Sequence, residues 1–171
     1  MQLSLGDCEI RDLSREDAPA LVKHANNRRV SSQLRDVFPF PYSVEDAARF
    51  LERTFAREPR MTFAIATPEE LIGVIGLHRG GDVYRRSAEF GYWLAEPFWG
   101  RGIATRAVRA LADWAFANTD LVRLQAGVFE TNPASARVLE KAGFELEGRL
   151  RRAVSKDDRI LDQLTYARLR P

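Results

Sequence analysis

The chain alternates short strand-like segments with longer helix-like ones. Residues 8–13 alternate apolar and polar positions, the period of a half-buried strand. Ser14 then stands as an N-cap before a predicted helix over residues 15–27. Ser43 is a second N-cap, and Asp46, three residues on, is a weaker partner than the Glu of a standard capping box. Behind it Ala47, Phe50, Leu51, Thr54 and Phe55 recur at helical spacing and define one apolar face. Residues 61–67 and 72–79 read as strands joined by a turn at Pro68-Glu69-Glu70. Gly80-Gly81-Asp82 turns the chain into a third strand, residues 88–94, which completes an antiparallel meander. The next helix covers residues 104–118, with Ala104, Val108, Leu111, Ala112, Ala115 and Phe116 as its core stripe. A strand over residues 122–129 leads to a short helix after Asn132-Pro133. Residues 144–153 and 163–169 are strand candidates on either side of a charged turn at residues 155–159. Periods of 2 and 3.6 mixed along one chain predict a mixed sheet with helices on both faces, in the α+β or α/β range.

Composition narrows the class. A chain of 171 residues, 45% hydrophobic and 29% charged, fits one globular domain spanning residues 1–171. No repeat or linker divides it. No apolar run approaches the roughly 20 residues of a membrane-spanning helix, so no membrane partner is expected. The first residues carry no basic region followed by an apolar core, so no signal peptide is read there. The single cysteine, Cys8, excludes an internal disulfide and fits a reducing cytoplasm. Two histidines and one cysteine make a metal site unexpected. The net charge of +2 is too small to indicate nucleic acid. Arginines cluster at 28–29, 85–86 and 149–152; they are either solvated surface or an attraction for an anionic ligand.

Candidate chemistry concentrates in Phe98-Trp99-Gly100-Arg101-Gly102-Ile103-Ala104-Thr105. This segment links a strand to a helix. Its glycines permit a tight turn, and the helix's first N–H groups lack intrahelical partners. Strand, glycine turn and helix N-terminus together suit a phosphate or pyrophosphate. The same octapeptide also fits a tight connection that holds no ligand. A second motif stands further along the chain, Asn132-Pro133-Ala134-Ser135-Ala136-Arg137-Val138-Leu139-Glu140-Lys141-Ala142-Gly143-Phe144.

Trp-Gly-x-Gly-x-Ala-Thr followed by Asn-x-x-Ser-x-x-Val-Leu-x-Lys-x-Gly-Phe resembles the GNAT superfamily of acyl-CoA-dependent N-acyltransferases, and within it the RimJ/RimL-type enzymes. Val37-Phe38-Pro39-Phe40-Pro41-Tyr42 before the Ser43 helix fits the same group. The resemblance covers nearly the whole chain. It implies an α+β GNAT fold, a mixed and largely antiparallel sheet of about seven strands flanked by about four helices and splayed at the acyl-CoA site.

The resemblance also assigns roles. Backbone N–H groups of Gly100, Arg101, Gly102, Ile103, Ala104 and Thr105 are expected to hold the CoA pyrophosphate, with the Arg101 side chain adding a charge-assisted bond. Tyr92, Trp93 and Leu94 would offer backbone groups to the pantetheine arm and thioester, and Asn132 would contact the same arm. Trp99 stands where the broad superfamily pattern has Gln or Arg, and is read as packing. Many superfamily members carry a tyrosine seven residues after this asparagine as acid for the departing thiolate; here that position is Leu139, which leaves Ser135 as the candidate.

N-acylation needs an uncharged amine. A lysine-type ammonium has a pKa of about 10.4 and an α-ammonium about 8, so only a minority is nucleophilic at neutral pH. Glu89 is nominated to take the proton: alternation places it with Gly91 and Trp93 on one strand face, where aromatic neighbours would raise a carboxylate's pKa. A salt-bridged or edge-exposed Glu89 fits the spacing as well. Lys141 before Gly143 fits a helix C-terminus better than a phosphate contact. Cys8 is not read as a nucleophile, and His24 and His78 are read as structural or exposed.

The expected activity is acetyl-CoA-dependent N-acetylation by direct attack in a ternary complex, without metal. The leading acceptor is a protein or peptide α-amine. A small-molecule amine (an amino acid, polyamine or aminoglycoside) and a non-catalytic acyl-CoA sensor are the alternatives. The protein is expected to be cytoplasmic, as monomer or homodimer.

Overall fold

A computed structural model describes all 171 residues. They form eight strands in one mixed sheet, ordered β1-β2-β3-β4-β5-β6-β8-β7, and five α-helices. The strands are β1 Gln2–Ser4, β2 Glu9–Asp12, β3 Thr62–Ala66, β4 Leu71–Arg79, β5 Ser87–Leu94, β6 Arg123–Phe129, β7 Glu145–Lys156 and β8 Arg159–Leu169. The helices are α1 Ala18–Ala25, α2 Arg28–Ser31, α3 Val44–Phe55, α4 Ile103–Asn118 and α5 Pro133–Lys141. The sheet has one strand more than expected because β1, only three residues long, pairs Leu3 with Ile10 of β2. The chain resolves into two compact units, neither a contiguous segment: Met1–Gly76 with Tyr92–Ile103, and Leu77–Gly91 with Ala104–Pro171.

The first unit is built on antiparallel pairing of β1 to β4. Phe63 to Ala66 and Leu71 to Leu77 are buried without alternation, the pattern of strands covered on both faces. Leu13, Leu21, Ala25, Tyr42, Ala47, Leu51, Leu71 and Val74 form its core. Ser43 caps α3 as expected: its Oγ accepts the Asp46 N–H at 3.2 Å, and Asp46 Oδ2 accepts the Ser43 N–H at 2.9 Å. The helix expected over residues 15–27 starts as a 3-10 turn and ends at Ala25, with a separate helix beyond it. Ser14 caps a 3-10 turn at Arg15–Asp17, α1 comes next, and Asn27 caps α2 with its side chain accepting the Arg29 N–H at 2.8 Å. Asn26 and Asn27 follow the end of α1: Asn26 Oδ1 accepts the Tyr42 N–H at 3.1 Å, and the Asn27 side chain turns to its local backbone as a cap.

In the second unit β5 pairs in parallel with β6, and β6, β8 and β7 pair antiparallel. Val108, Leu111, Ala112 and Ala115 of α4 are buried as the stripe predicts, whereas Ala104 and Phe116 are half-buried. Ile103 and Ala107 complete the buried face. The β7–β8 turn is tighter than the charged five-residue turn expected. Asp157 and Asp158, at φ 50° and 59°, form a two-residue hairpin turn of the kind that matches strand twist. Helix α5 ends in a Schellman motif: Gly143, at φ 88°, lets Phe144 N–H reach Leu139 O at 3.0 Å and its own N–H reach Glu140 O at 3.0 Å. No helix is long and apolar enough to cross a membrane.

Candidate active site

The glycine turn grows out of the end of β5. Ala95 N–H donates to Ile72 O at 2.8 Å, after which a 3-10 turn, Glu96–Phe98, carries the chain to Gly100. Gly100 and Gly102 have φ of 76° and 73°, a region costly for residues with a Cβ. A Cβ at Gly100 would meet nothing within 4 Å, so conformation rather than crowding requires glycine there. Helix α4 begins at Ile103, directly after the turn, and its first-turn N–H groups have no intrahelical acceptors. The left-handed backbone at Gly100 and Gly102, with open space over Gly100, lets an anion such as the CoA pyrophosphate approach the turn closely.

Around that turn, side chains of the first unit interlock. Glu96 accepts Asn27 Nδ2 at 2.8 Å and also pairs with Arg29. The Arg29 guanidinium lies 5.4 Å above the Trp99 ring, and Arg101 lies 5.4 Å above Phe98. Trp99 Nε1 donates to Leu94 O at 2.7 Å. Trp99 is therefore more than packing: it bonds the carbonyl of Leu94 at the end of β5, one of the residues expected at the pantetheine arm. Phe98 sets its ring edge-on to His24, which is buried with Nε2 3.1 Å from Glu70 Oε1. Lys23 bonds the same carboxylate at 2.6 and 3.0 Å. Its hydrogen bond, and then the His24 imidazole beside the carboxylate, hold Glu70 below the usual carboxylate range against the opposing effect of burial.

Trp93 turns its side chain toward Phe38, 5.7 Å away and edge-on, and Phe38 stands 5.3 Å from Tyr42. Burial, aided by Asp46, pushes the Tyr42 hydroxyl up to about 12. The backbone of β5 at this point lies tightly on β4. A Cβ added to Gly73 would sit 2.4 Å from Trp93 O and 3.1 Å from Leu94 Cα. Gly73 belongs to no motif in the sequence, although an isolated glycine in a strand signals such an approach.

The second unit holds the other nominated residues. Along β5, Ala88 and Phe90 are buried while Glu89 and Gly91 are exposed, as alternation requires. Glu89 stands opposite Gln125, and the β5–β6 ladder ends at that pair although β6 continues to Phe129. This opened ladder matches the splay that the family resemblance implies. Ala104 and Thr105, in the first turn of α4, are half-buried. Asn132 caps α5, its Oδ1 accepting the Ser135 N–H at 3.1 Å. The structure thus joins Asn132 and Ser135 in one turn. Leu139 is fully buried, which makes that position core. Lys141 ends α5, its carbonyl accepting a bond from Arg109, in keeping with a helix-terminal role. Cys8 is buried beside Asp7, and His78 is exposed. No group of three or more His, Cys, Asp or Glu is placed to hold a metal.

The glycine turn and the opened β5–β6 ladder are features expected of an acyl-CoA-dependent acetyltransferase, and the family comparison gives that class. Residues 8–145 match the acetyltransferase (GNAT) domain, and the chain belongs to that family. Within it the chain is of the RimJ/RimL-like kind. It is 31% identical over 170 residues to YoaA, an uncharacterized N-acetyltransferase of Bacillus subtilis (strain 168), covering 95% of this chain and 93% of that one. It is 37% identical over 133 residues to the ribosomal-protein-serine acetyltransferase of Escherichia coli (strain K12), covering 76% and 74%. It is 28% identical over 143 residues to that organism's spermidine N(1)-acetyltransferase, covering 83% and 75%. Among solved structures, Mycobacterium smegmatis RimJ in complex with CoA-disulfide superposes with a TM-score of 0.84 at 26% identity, over 95% of this chain and 81% of that one. The protein is an N-acetyltransferase using acetyl-CoA.

Proposed function

We propose that the acceptor is a protein or peptide N-terminal α-amine, acetylated by direct attack within a ternary complex. The observation that carries this reading is the charge of the segment packed against Trp93. Residues 26–42 contain Arg28, Arg29 and Arg35 but only Asp36 as an acid, interleaved with Phe38, Phe40 and Tyr42. Phe38 touches Trp93, and Arg28 lies 5.5 Å above the Phe40 ring. Arg29 is paired with Glu96, and the remaining excess of positive charge in the segment disfavours a polyamine, with its several charges, more than a peptide, which presents one ammonium attached to a neutral backbone. The higher identity to the ribosomal-protein enzyme than to the spermidine enzyme supports the same choice.

Acetyl-CoA, when bound, supplies the acetyl group as a thioester. Gly100, Arg101, Gly102, Ile103, Ala104 and Thr105 would hold its pyrophosphate through backbone N–H groups, with Tyr92, Trp93, Leu94 and Asn132 along the pantetheine arm. Glu89, exposed where the ladder opens, takes the proton released by the substrate ammonium, directly or through water. The Ser135 hydroxyl donates toward the departing sulfur. A CoA thiol resembles cysteine, with a pKa of about 8.5, so a weak donor is sufficient help. Thiol release measured with α-amine peptides, amino acids, polyamines and aminoglycosides tests the acceptor. Peptides are expected to dominate; release with spermidine alone overturns the reading.

A further inference from the structure

The turn that carries Asn132 and Ser135 is tied to a closed charged network on the β7–β8 hairpin. The residue after β6, Glu130, directs both carboxylate oxygens there. Its Oε1 accepts the Asp162 N–H at 2.9 Å and its Oε2 accepts Arg149 Nη2 at 2.6 Å. The Glu130 N–H donates in return to Asp162 O at 3.0 Å. Asp162 Oδ2 accepts Arg149 Nε at 2.6 Å, and its Oδ1 accepts the Arg152 N–H at 2.8 Å. That last bond, and after it the bond from Arg149, holds the Asp162 carboxyl below its ordinary range.

The hairpin backbone is distorted at the same point. β7 loses register between Leu150 and Val154, and Arg152 within that bulge has φ 55°, a left-handed conformation costly for an arginine. Bulges bend a strand and re-aim its side chains. Exposed ion pairs contribute little by themselves. Here, however, the Glu130, Arg149 and Asp162 side chains are bonded to one another and also fix the peptide units at Arg152 and Asp162. Two residues beyond Glu130, Asn132 N–H donates to Phe129 O at 2.8 Å, and its side chain caps Ser135. The approach to Asn132 is thus clamped at Glu130 from the hairpin.

We propose that Glu130, Arg149 and Asp162 are positioning residues of the transfer reaction, holding the turn so that Asn132 and Ser135 stand at the thioester. This rests on the roles given to Asn132 and Ser135 above. Arg149 is exposed, so Arg149→Gln removes its bonds to Glu130 and Asp162 without opening the core. The variant is expected to lower kcat about 10-fold while KM for acetyl-CoA stays within about twofold, the mark of misplacement rather than lost binding. In a Ser135→Ala background the same change should cost less than about twofold, because both act on one step.

Amide hydrogen exchange gives a readout independent of activity. Exchange at Asn132 and Ser135 should accelerate in Arg149→Gln, while that at Ala126 and Tyr166 in the paired strands stays unchanged. Equal losses of kcat with and without Ser135, an unchanged kcat, or evenly raised exchange would each overturn the inference. If the protein transfers acetyl to no amine, the acceptor reading fails, and the exchange pattern still decides whether the network holds the turn.

Discussion

The indole of Trp99 donates to the carbonyl of Leu94, at 2.7 Å, and so ties the glycine turn back to the end of β5. The Arg29 guanidinium over the same ring, itself paired with Glu96, holds the indole in place. One side chain thereby links the two backbone segments nominated for the pyrophosphate and the pantetheine arm. Trp99→Phe keeps an aromatic ring and removes the donor. It is expected to cost about 1 kcal/mol of stability. If that loss falls on the bound geometry too, acetyl-CoA affinity drops about fivefold. Titration and denaturant unfolding measure both. An unchanged affinity would reduce Trp99 to a packing residue.

Gly73 and Gly91 both lie in strands of the sheet, and only one is crowded. Gly73→Ala drives a Cβ to 2.4 Å from the Trp93 carbonyl, whereas a Cβ at Gly91 meets nothing within 4 Å. Gly73→Ala should destabilise by roughly 1–3 kcal/mol, the cost of overpacking, and weaken acetyl-CoA binding by displacing β5. Gly91→Ala should fold as the parent does. Parallel thermal melts of the two variants check this, and similar melting points would refute the close approach.

Local signals were legible in the residues, and long-range ones were not. Ser14 and Ser43 announce helix starts because a cap acts within three residues. The glycine turn and Asn132 are readable for the same reason, since turn chemistry is local. β1 escaped notice because three residues set no period and only pairing with β2 defines it. The hairpin turn reads wider in the sequence than it is because β7 is exposed along most of its length and so lacks apolar alternation. Glu96 and Glu130 look like ordinary surface acids in sequence. Their partners, Asn27 and Arg29 in one case and Arg149 and Asp162 in the other, are brought to them only by the fold.

Leu139 occupies the position where many family members carry a tyrosine, and it is fully buried. Leu139→Tyr therefore does not restore an acid. It is expected to destabilise by about 1–3 kcal/mol through overpacking and a buried hydroxyl, with no gain in kcat. Thiol-release kinetics beside a melting curve test this. A variant faster than the parent would mean that the hydroxyl reaches the site after all.

Glu70 links folding stability to pH. Its carboxyl, ordinarily near 4.5, is held lower by Lys23 and then His24. A depressed carboxylate contributes stability above its unfolded value, and that contribution is lost as pH falls through the folded value. Glu70→Gln should therefore cost roughly 0.5–1 kcal/mol at pH about 7, discounted for partial exposure, and less at pH about 3. Urea unfolding of both proteins at the two pH values measures the difference. A gap that widens in acid would contradict the assignment.

Asn132 and Ser135 share one hydrogen bond, and the partners are unequal in a way that separates structure from chemistry. The bond uses the Asn132 side chain but only the backbone N–H of Ser135. Asn132→Ala removes the cap and should cost about 1 kcal/mol of stability, along with acetyl-CoA affinity. Asn132→Asp keeps the cap and should recover the stability. Ser135→Ala leaves the cap intact, so its melting point should equal that of the parent. If the Ser135 hydroxyl serves the departing sulfur, kcat falls in this variant while acetyl-CoA affinity holds. Kinetics and titration on the same samples distinguish the outcomes. An equal loss of kcat and affinity in Ser135→Ala would make the serine a binding contact and leave the thiolate to depart without an acid.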